Sequence, residues 1–236
     1  MAEYVGREWS KKELLSYVGD SHQLAGAQIS TLNDGKAEGV KVININTGSG
    51  LNFSVLPGRG MDISHAFFKG KSLSFLSGTG ITSPAYYEES GFKWLRSFFG
   101  GLLTTCGVSY SGAPSVDQKV FFHNLAADTE NKTFMALLNR DIGDGTPLGI
   151  VIRFDKRKLP KFTEWKMTRQ GFYALGLEPG TAVPLGRAAV REKGDLLFLQ
   201  PQKRYIISID FEVIESIPEM AAIESEALKL INDYDR

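Results

Sequence analysis

The chain has 236 residues, and its 27 Lys and Arg residues balance its 27 Asp and Glu residues, so the formal net charge is zero. This balance gives no electrostatic reason to expect nucleic acid or an anionic membrane as a partner. The single cysteine, Cys106, excludes an intrachain disulfide, and no stretch is long and apolar enough to span a bilayer. The N-terminal residues lack the apolar core of a signal peptide, so we expect a cytoplasmic protein.

The predicted elements are mostly strands, with one helix near each end of the chain. The spacing of Ser10 and Glu13 matches a capping box and predicts a short helix that ends at Gly19. Alternating or clustered apolar residues between Gly and Asp/Asn turns predict strands at 40–46, 51–55, 134–138, 148–154 and 205–213. The last strand has the clearest alternation. A second capping pattern, Ser216 to Glu219, predicts a helix near the C-terminus.

Many short strands with few helices predict an all-β fold. The length suits one large all-β domain or two small ones, and we predict one domain over residues 1–236, built as an antiparallel sandwich or barrel.

Residues 94–114, WLRSFFGGLLTTCGVSYSGAP, are typical of a small-molecule pocket. One charge, Arg96, stands among aromatic residues, glycines and hydroxyls, and Trp94 begins the run. Cys106 lies within it and fits a buried, small apolar side chain better than a reactive thiol.

Two further segments carry charged groups in turn-like surroundings. In LPGRGMD, two glycines flank Arg59, and Asp62 is close enough to pair with it, either as a structural ion pair or as part of a pocket. Glu178 ends an apolar run before Pro179 and Gly180; burial there would raise its pKa and make it a usable general base, whereas an exposed glutamate at a turn is the alternative. Upstream, Trp165 and Lys166 could supply a stacking ring and a cation for a sugar.

The three histidines, His22, His65 and His123, do not have the spacing of metal ligands. Motifs for nucleotide, dinucleotide or zinc-dependent chemistry are missing from the sequence, so we expect no metal and no cofactor.

Several blocks together resemble the DUF4432 group of aldose 1-epimerase-like proteins. The blocks are PGRGMDIS at 57–64, residues 83–114, VFFHNLAAD at 120–128, LPKFTEWKM at 159–167, GFYALGLEPG at 171–180 and residues 186–196. The resemblance implies a galactose mutarotase-like β-supersandwich with short terminal helices, and a sugar or sugar derivative as the ligand. It also implies that Glu178 is the catalytic base and that the sugar site is lined by Arg59, Asp62, Trp94, Arg96, Trp165 and Lys166.

The sequence departs from the family after Pro114. Members of the family continue with a histidine-bearing segment and several strands, whereas here residues 115–119 lead directly to Val120. Roughly a hundred residues are missing by this comparison, more than a trimmed loop. The resemblance therefore implies a shortened sandwich, with an internal deletion near 114–120 and no equivalent of the family's acid histidine.

Three interpretations follow. The protein is an aldose 1-epimerase in which His123 or His65 replaces the missing acid, or a sugar-binding relative without catalysis. The third is an inactive, internally deleted member that self-associates through open sheet edges, for example as a homodimer.

Overall fold

Antiparallel strands make up most of the regular structure in the computed structural model. The structure describes residues 2–4, 7–105, 119–169 and 172–234, and the side chains of all of these except 2–4, 168, 169, 172 and 173. Cys106 and residues 114–118 of the predicted deletion region at 114–120 therefore lie outside the described residues. The chain divides into two compact units, Met1–Cys106 and Gly107–Arg236.

The first unit is built on a five-stranded antiparallel sheet. Its elements are β1 (Ala2–Tyr4), β2 (Arg7–Trp9), α1 (Lys11–Leu15), β3 (Gly26–Thr31), β4 (Lys41–Asn46), β5 (Leu51–Leu56), β6 (Asp62–Phe68), β7 (Lys71–Ser72), β8 (Phe75–Leu76) and β9 (Gly100–Gly101). Strands β3 to β7 pair in chain order, and β1-β2 and β8-β9 form separate two-stranded ribbons. Its core consists of Val40, Val42, Leu56 and Phe99.

The second unit contains two three-stranded antiparallel sheets and a long helix. Its elements are β10 (Lys119–His123), β11 (Lys132–Asn139), β12 (Leu148–Asp155), β13 (Lys161–Arg169), β14 (Phe172–Gly180), α2 (Arg187–Glu192), β15 (Ile209–Ile214) and α3 (Ile217–Tyr234). The strand orders are β11-β12-β15 and β10-β13-β14.

Alternation along β12 explains how these elements form layers. Val151 points to the side where Met220 and Ile223 of α3 pack. Its neighbour Ile152 points the other way, into a cluster that includes Phe162 of β13. Helix α3 and the β10-β13-β14 sheet therefore cover opposite faces of the β11-β12-β15 sheet.

The predicted all-β architecture with few helices is confirmed, and the differences in detail have local causes. Both capping boxes form, through Ser10 with Glu13 and Ser216 with Glu219. Helix α1 ends at Leu15 rather than Gly19. The strand predicted at 205–213 runs only over Ile209–Ile214, because pairing with β12 begins at Ile209. Helix α2 was not predicted from the sequence.

No helix among the described residues is both long and apolar enough to cross a membrane.

Candidate functional site

Glu178 lies near the end of β14, and the strand continues through Pro179 and Gly180, where the sequence predicted a turn. In the antiparallel register it is opposite Thr163 of β13, and Gly176 is opposite Trp165. Directly paired residues point to the same side of a sheet. The side chains of Thr163, Trp165 and Glu178 therefore share one face, which we call the Glu178 face.

Gly176 makes room for the Glu178 carboxyl group. A Cβ atom at position 176 would lie 2.7 Å from Oε1 of Glu178 and 3.3 Å from Cβ of Trp165. The carboxyl group thus folds back over the bare glycine backbone, next to the strand position that carries the indole. Any side chain at 176 would occupy this space.

The environment of Glu178 changes its acidity. Burial raises the pKa of Glu178 above its ordinary value, because the ionised carboxylate loses water that the sheet does not replace. The direction is the one expected from the sequence. A carboxylate with a raised pKa is a stronger base than an exposed glutamate.

The opposite face of the same sheet holds a different group of side chains. Nε2 of His123 lies 3.0 Å from Oε2 of Glu164, and the imidazole meets the Phe162 ring edge-on at 5.9 Å between centroids. Phe162 belongs to the buried cluster between the sheets, so this face looks into the sandwich. Lys166 alternates with Trp165 and also points to this side.

This geometry separates His123 from the predicted base. His123 is the only histidine in residues 107–236, and it lies on the face opposite Glu178. Within the second unit, therefore, Glu178 does not face a histidine.

In the first unit, Arg59 and Asp62 belong to one connected turn between β5 and β6. Nε of Arg59 lies 3.9 Å from Oδ2 of Asp62. Asp62, only 3% exposed, accepts hydrogen bonds from the backbone N–H of Thr105 at 2.7 Å and from its hydroxyl at 2.6 Å. Gly60 and Met61 take left-handed backbone conformations with φ of 66° and 69°, which turn the chain sharply. Asp62 thus ties this turn to residue 105.

Trp94 and Arg96 lie on the 3₁₀ helix Gly91–Ser97. The Trp94 indole meets Phe98 edge-on, and the Arg96 guanidinium pairs with Glu88 at 3.1 Å. Arg96 also borders an open cavity of about 690 Å³, together with residues 34–37 and 78–81. Nη1 of Arg59 contacts the carbonyl oxygen of Ser97 at 3.5 Å, so Arg59 and this helix are neighbours.

The structure thus groups the predicted site residues within each unit. Arg59 and Asp62 form one cluster beside the helix that carries Trp94 and Arg96. In the second unit, Trp165 shares a face with Glu178, and Lys166 does not. A role in ligand binding stays a prediction for all of them.

Sequence reasoning missed Gly176 and Thr163. The glycine two residues before Glu178, in GLEPG, was the available signal, because alternate residues of a strand share a face. No signal marked Thr163, since its pairing with Glu178 depends on the register of two strands. Among the described residues, no group of three or more His, Cys, Asp or Glu could hold a metal ion.

Comparison with solved structures places this architecture in a known class. The chain matches the crystal structure of a putative aldose 1-epimerase from Klebsiella pneumoniae subsp. pneumoniae, with a TM-score of 0.75 at 18% sequence identity. The match covers 91% of each chain. The protein therefore has an aldose 1-epimerase-like fold, as the sequence resemblance implied.

The family is shown by a direct sequence match. The family model described as a domain of unknown function, DUF4432, matches residues 37–119 and 115–213. The chain belongs to this family. No curated protein matches the sequence.

Proposed function

We propose that the protein binds a free sugar or sugar derivative on the Glu178 face and that Glu178 is the base of an aldose 1-epimerase reaction. The observation that carries this proposal is the half-buried Glu178 carboxyl group, which lies over Gly176 beside the Trp165 position and has a raised pKa. The epimerase-like fold supports it. The Trp165 indole would stack on the sugar ring.

The reaction requires one proton acceptor and one proton donor. Glu178 would take the proton from the anomeric hydroxyl as an acid protonates the ring oxygen. The bond between the anomeric carbon and the ring oxygen breaks, and a carbonyl group forms. Rotation and ring closure on the other face, with both proton transfers reversed, then yield the other anomer. An acid–base partner typically contributes about 10²–10⁴-fold to such a step.

The proton donor in this proposal is not assigned to a side chain. Because His123 lies on the opposite face and contacts Glu164, we do not assign it the role. We propose that water supplies the proton to the ring oxygen, which makes the reaction slow compared with a complete acid–base pair.

Exchange NMR on the α and β anomers of galactose and glucose tests the proposal. Wild-type protein should accelerate exchange above the buffer rate, and Glu178→Gln should return it to that rate. Added imidazolium should increase the wild-type rate more steeply than the Glu178→Gln rate, because it supplies the missing acid. His123→Asn is the matched control, and exchange should survive it. Equal rates for wild type and Glu178→Gln would refute the assignment of the base.

A second candidate is a sugar-binding protein without catalysis. The engagement of His123 with Glu164, away from Glu178, favours it. It predicts saturable sugar binding that Trp165→Ala weakens, with no exchange above background. Lys166→Met, on the opposite face, is the control for Trp165→Ala.

A third candidate is self-association of an internally deleted chain. The family model matches in two segments that meet at residues 115–119, which supports a deletion there. Strand β10 begins at residue 119 and forms one edge of its sheet among the described strands. Phe121 and Phe122 on this strand are 45% and 50% exposed, and such an edge favours pairing with a second copy. Sedimentation velocity over a range of concentrations should then show a dimer that Phe122→Lys dissociates.

The predicted cytoplasmic location stays part of the proposal.

A further inference from the structure

One face of the five-stranded sheet in the first unit carries a cluster of polar side chains. The register places Gln28 opposite Asn44 and Asn46 opposite Asn52. Asn52 is in turn opposite Phe67, so all five side chains point to the same side of the sheet. We call this surface the amide face. Each of the five residues is exposed.

Hydrogen bonds hold part of the amide face in a defined arrangement. The hydroxyl of Ser54 donates to Oδ1 of Asn44 at 2.9 Å, and Nδ2 of Asn44 donates to the hydroxyl of Ser30 at 3.1 Å. Oδ1 of Asn46 accepts the backbone N–H of Gly48 at 2.9 Å. A primary amide has two donor hydrogens and two acceptor lone pairs. The hydrogen bonds thus fix the orientation of the Asn44 and Asn46 amides and leave further donors and acceptors on each for a ligand.

Aromatic rings border the amides. The imidazole of His65 and the ring of Phe67 stack with 6.3 Å between centroids and 17° between planes. Phe67 is 38% exposed and offers an apolar ring surface beside Asn52. At the other edge, the His22 ring covers Gly26, so closely that a Cβ atom at Gly26 would clash with its Cδ2 atom. Asp20 and the backbone of Ala27 hold this imidazole in place by hydrogen bonds.

These residues line an open cavity of about 380 Å³, near the lower end of the range for small-molecule sites. Its lining, all of it within the described part of the chain, contains no Asp, Glu, Lys or Arg. A phosphate or carboxylate ligand would find no lysine or arginine there, and His22, whose pKa is raised by its hydrogen bond with Asp20, already has that carboxylate as its partner at 2.9 Å. A ligand with several neutral hydroxyls matches side chains that both donate and accept, and its C–H face matches an exposed aromatic ring.

We propose that the amide face is a binding site for a neutral saccharide, made entirely from residues of the first unit. The inference goes beyond the proposed function because it uses no residue of the Glu178 face. Asn44, Asn46 and Asn52 hydrogen-bond the sugar hydroxyls, and the Phe67 ring contacts the sugar ring. A site this open, with few hydrogen bonds, binds with a dissociation constant of about 1 mM.

Methyl β-galactoside and methyl α-glucoside are the probes. They have no free anomeric hydroxyl and cannot be epimerised, so the result does not depend on catalysis. Titration of the ¹⁵N-labelled full chain should shift the side-chain NH₂ signals of the three asparagines saturably with at least one of the two glycosides. Glucose 1-phosphate, the anionic control, should bind more weakly.

Two variants test the contacts separately. Phe67→Leu removes the aromatic ring, and Asn52→Leu replaces the amide with an apolar group of similar size. Each variant should weaken binding about tenfold, the upper range for one such contact. Both side chains are exposed, and circular dichroism checks that the fold is kept. Ile29→Ala, at an exposed position on the opposite face of the sheet, should bind like wild type.

Three results would overturn the inference. They are the absence of saturable shifts at these amides with both glycosides, equal affinity in Phe67→Leu, Asn52→Leu and Ile29→Ala, and binding of glucose 1-phosphate as tight as that of the glycosides.

Discussion

The substitution Gly176→Ala tests the geometry of the Glu178 face most directly. The added methyl group would lie 2.7 Å from Oε1 of Glu178, whereas ordinary contact begins at 3.4 Å. The carboxyl group must therefore move by about 0.7 Å or more. Because this atom is the flexible end of a side chain, we expect the carboxyl group to move rather than the strand.

Gly176→Ala should have a large effect on the rate of anomer exchange and a small effect on stability. A displacement of about 1 Å in a reacting group costs on the order of 10²-fold in rate, so anomer exchange should fall by about that factor. The free energy of unfolding should change by about 1 kcal/mol or less, because alanine is more favourable than glycine within a strand by about 0.5–1 kcal/mol and offsets the new contact. The moved carboxyl group should also become more hydrated, so the pKa of Glu178 should fall toward its ordinary value.

Gly180→Ala is the matched control for Gly176→Ala. Gly180 lies on the same strand and the same face, but a Cβ there would be 3.5 Å from its nearest neighbour, the carbonyl oxygen of Ala182. Exchange NMR measures the rate, urea unfolding measures stability, and ¹³C NMR titration of the Glu178 carboxyl group measures its pKa without requiring turnover. If Gly176→Ala leaves the pKa and the exchange rate equal to those of Gly180→Ala, the reasoning fails.

Three further predictions concern single groups. Because burial raises the pKa of Glu178 in the fold, folding favours the protonated form of this side chain. The free energy of unfolding, relative to that of Glu178→Gln, should therefore be greatest below the ordinary pKa of 4.5 and fall as pH rises through the folded pKa. Urea unfolding at several pH values measures this difference. Thr105→Val removes a hydroxyl that donates to buried Asp62 and should lower the free energy of unfolding by about 1–3 kcal/mol, with Thr105→Ser close to wild type. Hydrogen bonds from Arg157 lower the pKa of Asp155 from 3.8 to about 2. The ionised Asp155 carboxylate therefore stabilises the fold above pH 3.8, and this stabilisation disappears as pH falls through about 2. Arg157→Gln should raise the pKa of Asp155 toward 3.8, as measured by NMR titration.

Each of these predictions has an outcome that contradicts it. A Glu178→Gln variant that is less stable than wild type at neutral pH would mean that the ionised carboxylate is stabilised in the fold. If Thr105→Val and Thr105→Ser unfold alike, the hydroxyl does not hold Asp62. An unchanged Asp155 titration in Arg157→Gln would assign the low pKa to another neighbour.

Local sequence patterns were enough for some of the elements, among them β4, β5, β11 and β12. The two capping boxes, at Ser10 and Ser216, depend on residues three apart, so their spacing predicts them directly. Strands such as 148–154 were also found, because a buried apolar run carries its own signal. The strand at 205–213 was overextended since alternation at 205–208 does not supply a partner strand, and hydrogen bonding to β12 begins only at Ile209.

The sequence by itself determined the strand-rich composition, the family blocks, and Glu178 as a carboxyl group that burial would make basic. Only the tertiary structure decided what surrounds that carboxyl group. The register of β13 against β14 places Thr163 and Trp165 on its face and Lys166 on the other. The register of β10 against β13 places His123 on that other face. A shift of one residue would reverse these faces, and register depends on contacts between residues that are distant in sequence.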